Sequence, residues 1–159
     1  MDSTLQGLSM ERVVSTLLFS KRTDLKFGWQ AVPEFHVNQN FTSRNVLESI
    51  RNTLQCGYIK SNDAAGKRDK TLVYVVRDRL DLLQKVIPFF EQFPLQTEKR
   101  KDFELFRTIV RMMETNQHLT KEGFEKIVRL AFSMNANGRY RKRHMKDILT
   151  SPKSSETVR

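Results

Sequence analysis

The chain has 159 residues, enough for one domain around a single hydrophobic core. Lys and Arg number 28 against 18 Asp and Glu, a formal charge of +10 that favours polyanionic partners, nucleic acid before anionic membrane. No apolar run approaches the roughly 20 residues of a membrane span, no signal-peptide pattern opens the chain, and a lone Cys56 excludes an internal disulfide or zinc site. A non-secreted, intracellular protein is expected, in a bacterial cytoplasm or an organelle matrix or stroma.

Residues Thr4 to Arg12 suit only a short helix, after which Val13, Val14, Leu17, Leu18 and Phe19 begin a β-rich run. SKRTDLKFG breaks that run as a basic hairpin loop, so a first hairpin is expected over about Val13 to Asn40. In its second strand Trp29, Ala31, Phe35 and Val37 share the parity that is buried. Gln30, Glu34, His36, Asn38 and Asn40 share the exposed one. Such a row of amide and imidazole groups is either a solvated sheet face or equipment for reading base edges. Pro33 cannot donate to a ladder, so either its N position faces outward or the strand carries a bulge.

Thr42 or Ser43 is expected to cap a helix whose Val46, Leu47, Ile50 and Leu54 keep to one face, with Gly57 ending it. GYIKSN and TLVYVVR then read as a second hairpin with Lys67, Arg68 and Lys70 in its loop, and Tyr58, Lys60 and Asn62 share one parity. The inner parity of TLVYVVR is left open. Asp78 is a cap for a helix whose Leu80, Leu83, Val86 and Ile87 face the core, and Pro88 and Pro94 bracket an irregular FFEQF turn. Thr97 opens a helix with Phe103, Phe106, Ile109, Val110 and Met113 at core spacing. From Thr120 another carries Phe124, Ile127, Val128, Ala131 and Phe132. Residues 1–138 are expected as one domain and 139–159 as a basic, mobile C-terminal tail.

Taken together, KFGWQAVPEFHVNQN, LQCGYIK, TLVYVVRDR and VIPFFEQFPLQTEKRKDFELF resemble a single-motif LAGLIDADG homing endonuclease, over most of residues 12 to 135. The resemblance implies an α+β fold with an αββαββα core, an antiparallel four-stranded saddle sheet with helices on one face, and a homodimer. It implies hydrolysis of phosphodiester bonds in double-stranded DNA with Mg2+ or Mn2+. Gln39 matches the family's active-site glutamine that positions solvent, and Lys99 its active-site lysine. Glu11 is then both a site residue and the metal ligand. DNA contacts are expected from Gln30, Glu34, His36, Asn38, Asn40, Arg44, Tyr58, Lys60, Asn62, Lys67, Arg68 and Lys70.

The N-terminal motif departs from the family pattern. LQGLSMER places Glu11 on the metal-binding acid when counted back from the strand, with Ser9, Met10 and Arg12 where an acid, a small residue and a glycine are expected. Matching from Leu5 and Gly7 instead requires one deletion. Bulky Met10 and Arg12 compromise a close helix crossing. An inactive DNA-binding or maturase-like, intron-RNA-binding protein on the same fold is therefore the alternative. A basic RNA-associated structural protein explains the charge but not the ordered match around Lys99.

Overall fold

The computed structural model describes residues 12–62, 71–137, 141 and 143–150. Period-two alternation makes two long strands, β1 (Val13–Lys21) and β2 (Trp29–Asn40), paired antiparallel from Val13↔Val37 to Lys21↔Trp29. A turn closes them, with Gly28 at φ 70 and its N–H donating to the Leu25 carbonyl at 2.9 Å. Strands β3 (Tyr58–Ser61) and β4 (Thr71–Val76) form the second hairpin, and β4 pairs with β2 from Phe35↔Val76 to Asn40↔Thr71. The sheet order is β1-β2-β4-β3, antiparallel throughout.

One parity faces the helices. Val13, Leu17, Phe35, Val37, Leu72, Tyr74 and Val76 join the main core, which settles the inner parity of β4. The core's other half comes from α1 (Arg44–Leu54), α3 (Ile87–Gln92), α4 (Thr97–Glu114) and α5 (Lys121–Asn137), so these helices cover a single face. The described elements run ββαββα, the order the resemblance implies, and the first helix expected of it, Thr4 to Arg12, lies outside the described residues apart from Arg12. No described helix is long and apolar enough to cross a membrane.

Pro33 occupies the outward-facing alternative. The carbonyls of Ser15 and Leu17 accept from Asn135 Nδ2 at 2.9 Å and Arg141 Nη1 at 2.6 Å, so the odd-numbered residues of β1 point away from β2. The even-numbered residues of β2 consequently bond to β1, and the odd ones, Pro33 included, turn their polar groups toward β4. That ladder begins only at Phe35↔Val76, so no partner strand needs the N–H that proline lacks. The register carries no bulge.

Several local expectations are corrected. Neither Thr42 nor Ser43 caps α1 through its side chain, because a 3-10 turn, Phe41–Ser43, leads into the helix. Asp78 does cap, accepting from the Asp81 N–H at 3.0 Å above α2 (Arg79–Asp81). The chain then passes through a π-helical turn, Leu82–Val86, where the Ile87 N–H reaches back to the Leu82 carbonyl. That extra residue per turn rotates the apolar stripe, so Leu82, Val86, Ile87 and Phe90 are buried while Leu80 is 60% exposed. FFEQF is not an irregular turn. Pro88 stands in the first turn of α3, where its missing N–H costs least, and the helix runs on to Gln92.

The basic stretch after residue 138 is docked where it is described. In α6 (Met145–Leu149) Ile148 is buried against Trp29, Phe124 and Val128. The Arg143 guanidinium lies 5.0 Å from the Trp29 ring, and that of Arg141 4.9 Å from Phe132. Apolar residues spaced among the cations, not charge alone, decide that segment's place.

Candidate nucleic-acid interface

The outer parity of the sheet is built in cross-strand rows. Lys60, Val73 and Asn38 form one row, and Tyr58, Val75, His36 and Val14 the next. Val73 and Val75 are 3% and 0% exposed although they lie opposite the core, because the longer flanking side chains cover them. Tyr58, Lys60, Asn62, Gln30 and Asn40 are exposed, and His36 and Asn38 are half-buried. Rows repeat every two residues, about 6.6 Å, which is roughly two base-pair steps. The 12 residues of β2 span about 36 Å, near one turn of B-form DNA.

Glu34 departs from the exposed row. It is 4% exposed, and its carboxylate accepts from Arg77 Nε and lies 3.1 Å from His36 Nδ1. Burial pushes its pKa up, but the hydrogen bonds from His36 and Arg77 and their charges outweigh that, holding the carboxyl below its usual range. Alternation alone cannot reveal such a pair, since Arg77 arrives from 43 residues away. The signal that finds Arg77 is its parity with Val73 and Val75. Arg77 closes the expected strand TLVYVVR, and it goes unassigned there because the inner parity of that strand is left open.

Of the residues matched to catalysis, Gln39 stands at the opposite corner of the sheet. Gln39 pairs with Leu72, whose other neighbour is Ser61, so it stands where β2 ends and β4 begins. It is 6% exposed, yet its amide makes no hydrogen bond to a described residue. By the register Val13↔Val37, Arg12 enters β1 at this same end, and Glu11, bonded to it, lies outside the described residues. The α4 helix is tied to that end too. The Asn135 N–H donates to Asp102 Oδ1 at 3.0 Å while its side chain holds the Ser15 carbonyl. Lys99 stands one turn before Asp102.

Lys99 differs from its neighbours. Lys101 pairs with Glu98 at 3.3 Å and Arg100 with Glu104 at 3.2 Å, whereas half-buried Lys99 has no partner among the described residues. Arg44 is committed to Glu48 at 2.8 Å, and with Phe41, Lys60 and Thr71 it lines a depression of about 520 Å³ beside Asn40. Lys67, Arg68 and Lys70 lie outside the described residues. Among the described residues no three His, Cys, Asp or Glu side chains gather as a metal site.

Comparison with known proteins matches this architecture. The LAGLIDADG endonuclease family fits residues 16–110. A probable intron-encoded endonuclease of Neurospora crassa is 35% identical over 84% of this chain, and a second from that fungus 33% identical over 75%. The chain spans only 29% and 22% of those two proteins. The crystal structure of the homing endonuclease I-TnaI superposes with a TM-score of 0.78 at 35% identity, covering 90% of this chain and 91% of that one. I-SmaMI, crystallised bound to DNA, superposes with a TM-score of 0.75 at 28% identity over 80% of this chain and 42% of its own. A family match across more than half the chain, on the sheet order and helical face described above, makes this protein a member of the LAGLIDADG endonuclease family.

Proposed function

We propose that this protein is a sequence-specific, divalent-metal-dependent endonuclease of the homing type, working on double-stranded DNA as a homodimer inside the cell. The observation that carries it is the outer face of β2, a row of polar side chains about one DNA turn long, beside whose end stands Gln39, its amide without a hydrogen bond to a described residue. A DNA partner is supported by neighbours such as I-SmaMI, crystallised with cleaved DNA, and I-LtrWI, with target DNA.

The outer face reads bases, with Gln30, His36, Asn38 and Asn40 on β2 and Tyr58, Lys60 and Asn62 at β3. Lys67, Arg68 and Lys70 hold phosphates, and Arg44 lends charge from α1. Gln39 holds the attacking water by its amide, and Lys99 stabilises charge on the cleaved phosphate or moves a proton there. Glu11 holds Mg2+ or Mn2+. Its carboxylate oxygens are hard donors of the kind such an ion takes, and when bound the ion would supply Lewis-acid stabilisation of phosphate charge. One chain brings one acid and one half-site, so a second copy completes both.

The test is cleavage of a randomised duplex library with magnesium, by wild type and by Glu11→Gln, beside sedimentation of the protein with and without DNA. Cleavage by wild type alone and a dimer on DNA support the reading. DNA binding with no cleavage in magnesium or manganese overturns it for the inactive DNA-binding or intron-RNA-binding alternative, which the departure in LQGLSMER favours. A species of only 18.7 kDa, with DNA and without, rejects the dimer.

A further inference from the structure

Arg77, unlike the exposed Arg22, does not choose its own direction. Arg22 grips Asp24, 60% exposed, through both Nε and Nη2 in the hairpin loop. Arg77 instead offers only Nε to Glu34, a carboxylate that is 4% exposed and fixed in the middle of β2. Its two terminal amino groups make no bond to a described residue, and its side chain remains 44% exposed. The register of β2 and β4 continues by one step to set Arg77 opposite Glu34, on the outer face. The other carboxylate oxygen meets His36 Nδ1 at 3.1 Å. When Nδ1 carries the proton of a neutral imidazole, Nε2 is left as an acceptor.

We propose that Glu34 is a positioning residue that aims Arg77 at a guanine and His36 at a base amino group in the neighbouring pairs, so that Arg77 is a determinant of target specificity. This rests on the endonuclease reading above. A guanidinium held at Nε presents a two-pronged fork whose spacing fits guanine O6 and N7, and no other base edge in the major groove offers two acceptors so placed. Pre-ordering matters because a free arginine loses rotamer freedom on binding, and here the fold has already removed much of it. Glu34 itself is spent on its two partners. A carboxylate left bare at this place would repel phosphate and select cytosine amino groups, so its burial changes the reading of the site from acid to base. His36 lies two residues along β2, about 6.6 Å away, which places its target within about two base pairs of the guanine.

The experiment selects duplexes from a randomised library with the full chain, calcium being the only divalent ion, and compares wild type, Arg77→Ala, Arg77→Lys and Glu34→Gln. Wild type is expected to prefer guanine at one position of each half-site. Arg77→Ala lowers that preference about 10- to 100-fold and leaves other positions within about twofold, and Arg77→Lys restores it only in part. Glu34→Gln broadens the guanine position and the position read by His36, and no others, which a merely structural role would not do. Equal losses at every position, or unchanged preferences in Arg77→Ala, overturn the inference while leaving the endonuclease reading intact. Selection of no sequence by wild type overturns both. Arg77→Lys keeps a cation against the buried Glu34 carboxylate, so the test stands even where Arg77→Ala or Glu34→Gln fails to fold.

Discussion

Arg141 donates from Nη1 to the Leu17 carbonyl at 2.6 Å and from Nη2 to the Ala131 carbonyl at 2.9 Å, clamping the open edge of β1 to the end of α5. An edge strand with free carbonyls invites pairing with another chain, and this side chain occupies one of them. Its half-buried guanidinium also lies 5.8 Å from the Phe19 ring. Arg141→Ala is expected to cost about 1–3 kcal/mol by leaving the Leu17 carbonyl short of a partner. Denaturant unfolding checks the loss, and light scattering on warming is expected to show earlier association than in wild type.

Gly57 is set by the fold, not by a tight turn alone. Its φ is 75, and a Cβ there would stand 2.6 Å from the Val75 carbonyl oxygen and 2.8 Å from the Tyr74 ring. Tyr74 is itself pinned, donating its hydroxyl proton to the Cys56 carbonyl at 2.9 Å. Gly57→Ala therefore combines left-handed backbone strain with a clash against main chain, and is expected to lower stability by more than about 1 kcal/mol, read as a lower Tm. Gln55, also left-handed at φ 56, is exposed at the end of α1, so Gln55→Gly is expected to be neutral or mildly stabilising in the same melts.

Strands, hairpins and aromatic stripes were legible because each repeats a period, such as Phe103, Phe106, Val110 and Met113 along α4. What periodicity hides is the place where a period slips or a long-range partner intervenes. The π-helical turn at Leu82–Val86 shifts the buried stripe off Leu80 within an otherwise regular pattern. Glu34 has the exposed parity, and it is covered on that outer face by Arg77 from across the sheet and His36 along the strand. Docking of Ile148 within a basic tail depends on a hollow between Trp29 and Phe124 that no local pattern contains. Gln39 and Lys99 are singled out by the family resemblance alone, and the fold adds that both are without side-chain partners among the described residues.

The buried Glu34 carboxyl gives the fold an acid limit. Because its folded pKa lies below the ordinary 4.5, the unfolded chain takes up its proton first as pH falls. The stabilisation is fully present above the unfolded value and is lost as pH falls through the folded one. Melts of wild type and Glu34→Gln between neutral pH and about pH 3 are expected to converge toward the acid end, with wild type ahead only above it. Parallel curves across the range would remove Glu34 as the source.

Lys99 and Lys101 sit two residues apart and give an internal control for the proposed chemistry. Lys101 is 73% exposed and paired with Glu98, so its charge is screened by water and by its neighbour. Lys99 is half-buried and unpartnered among the described residues, one turn before Asp102, whose carboxylate accepts from the Asn135 N–H. A cation that supports charge or moves a proton at a phosphate needs that freedom. Lys99→Met is expected to lower kcat about 10²- to 10³-fold with DNA affinity changed only a few-fold, since the charge acts in the transition state. Lys101→Met is expected to leave cleavage within about twofold. Gln39→Ala is expected to fall between them, because water can still reach the phosphate without being held. Single-turnover cleavage beside gel-shift affinities separates the two effects. An equal fall in both lysine variants would reduce Lys99 to one more phosphate-attracting charge.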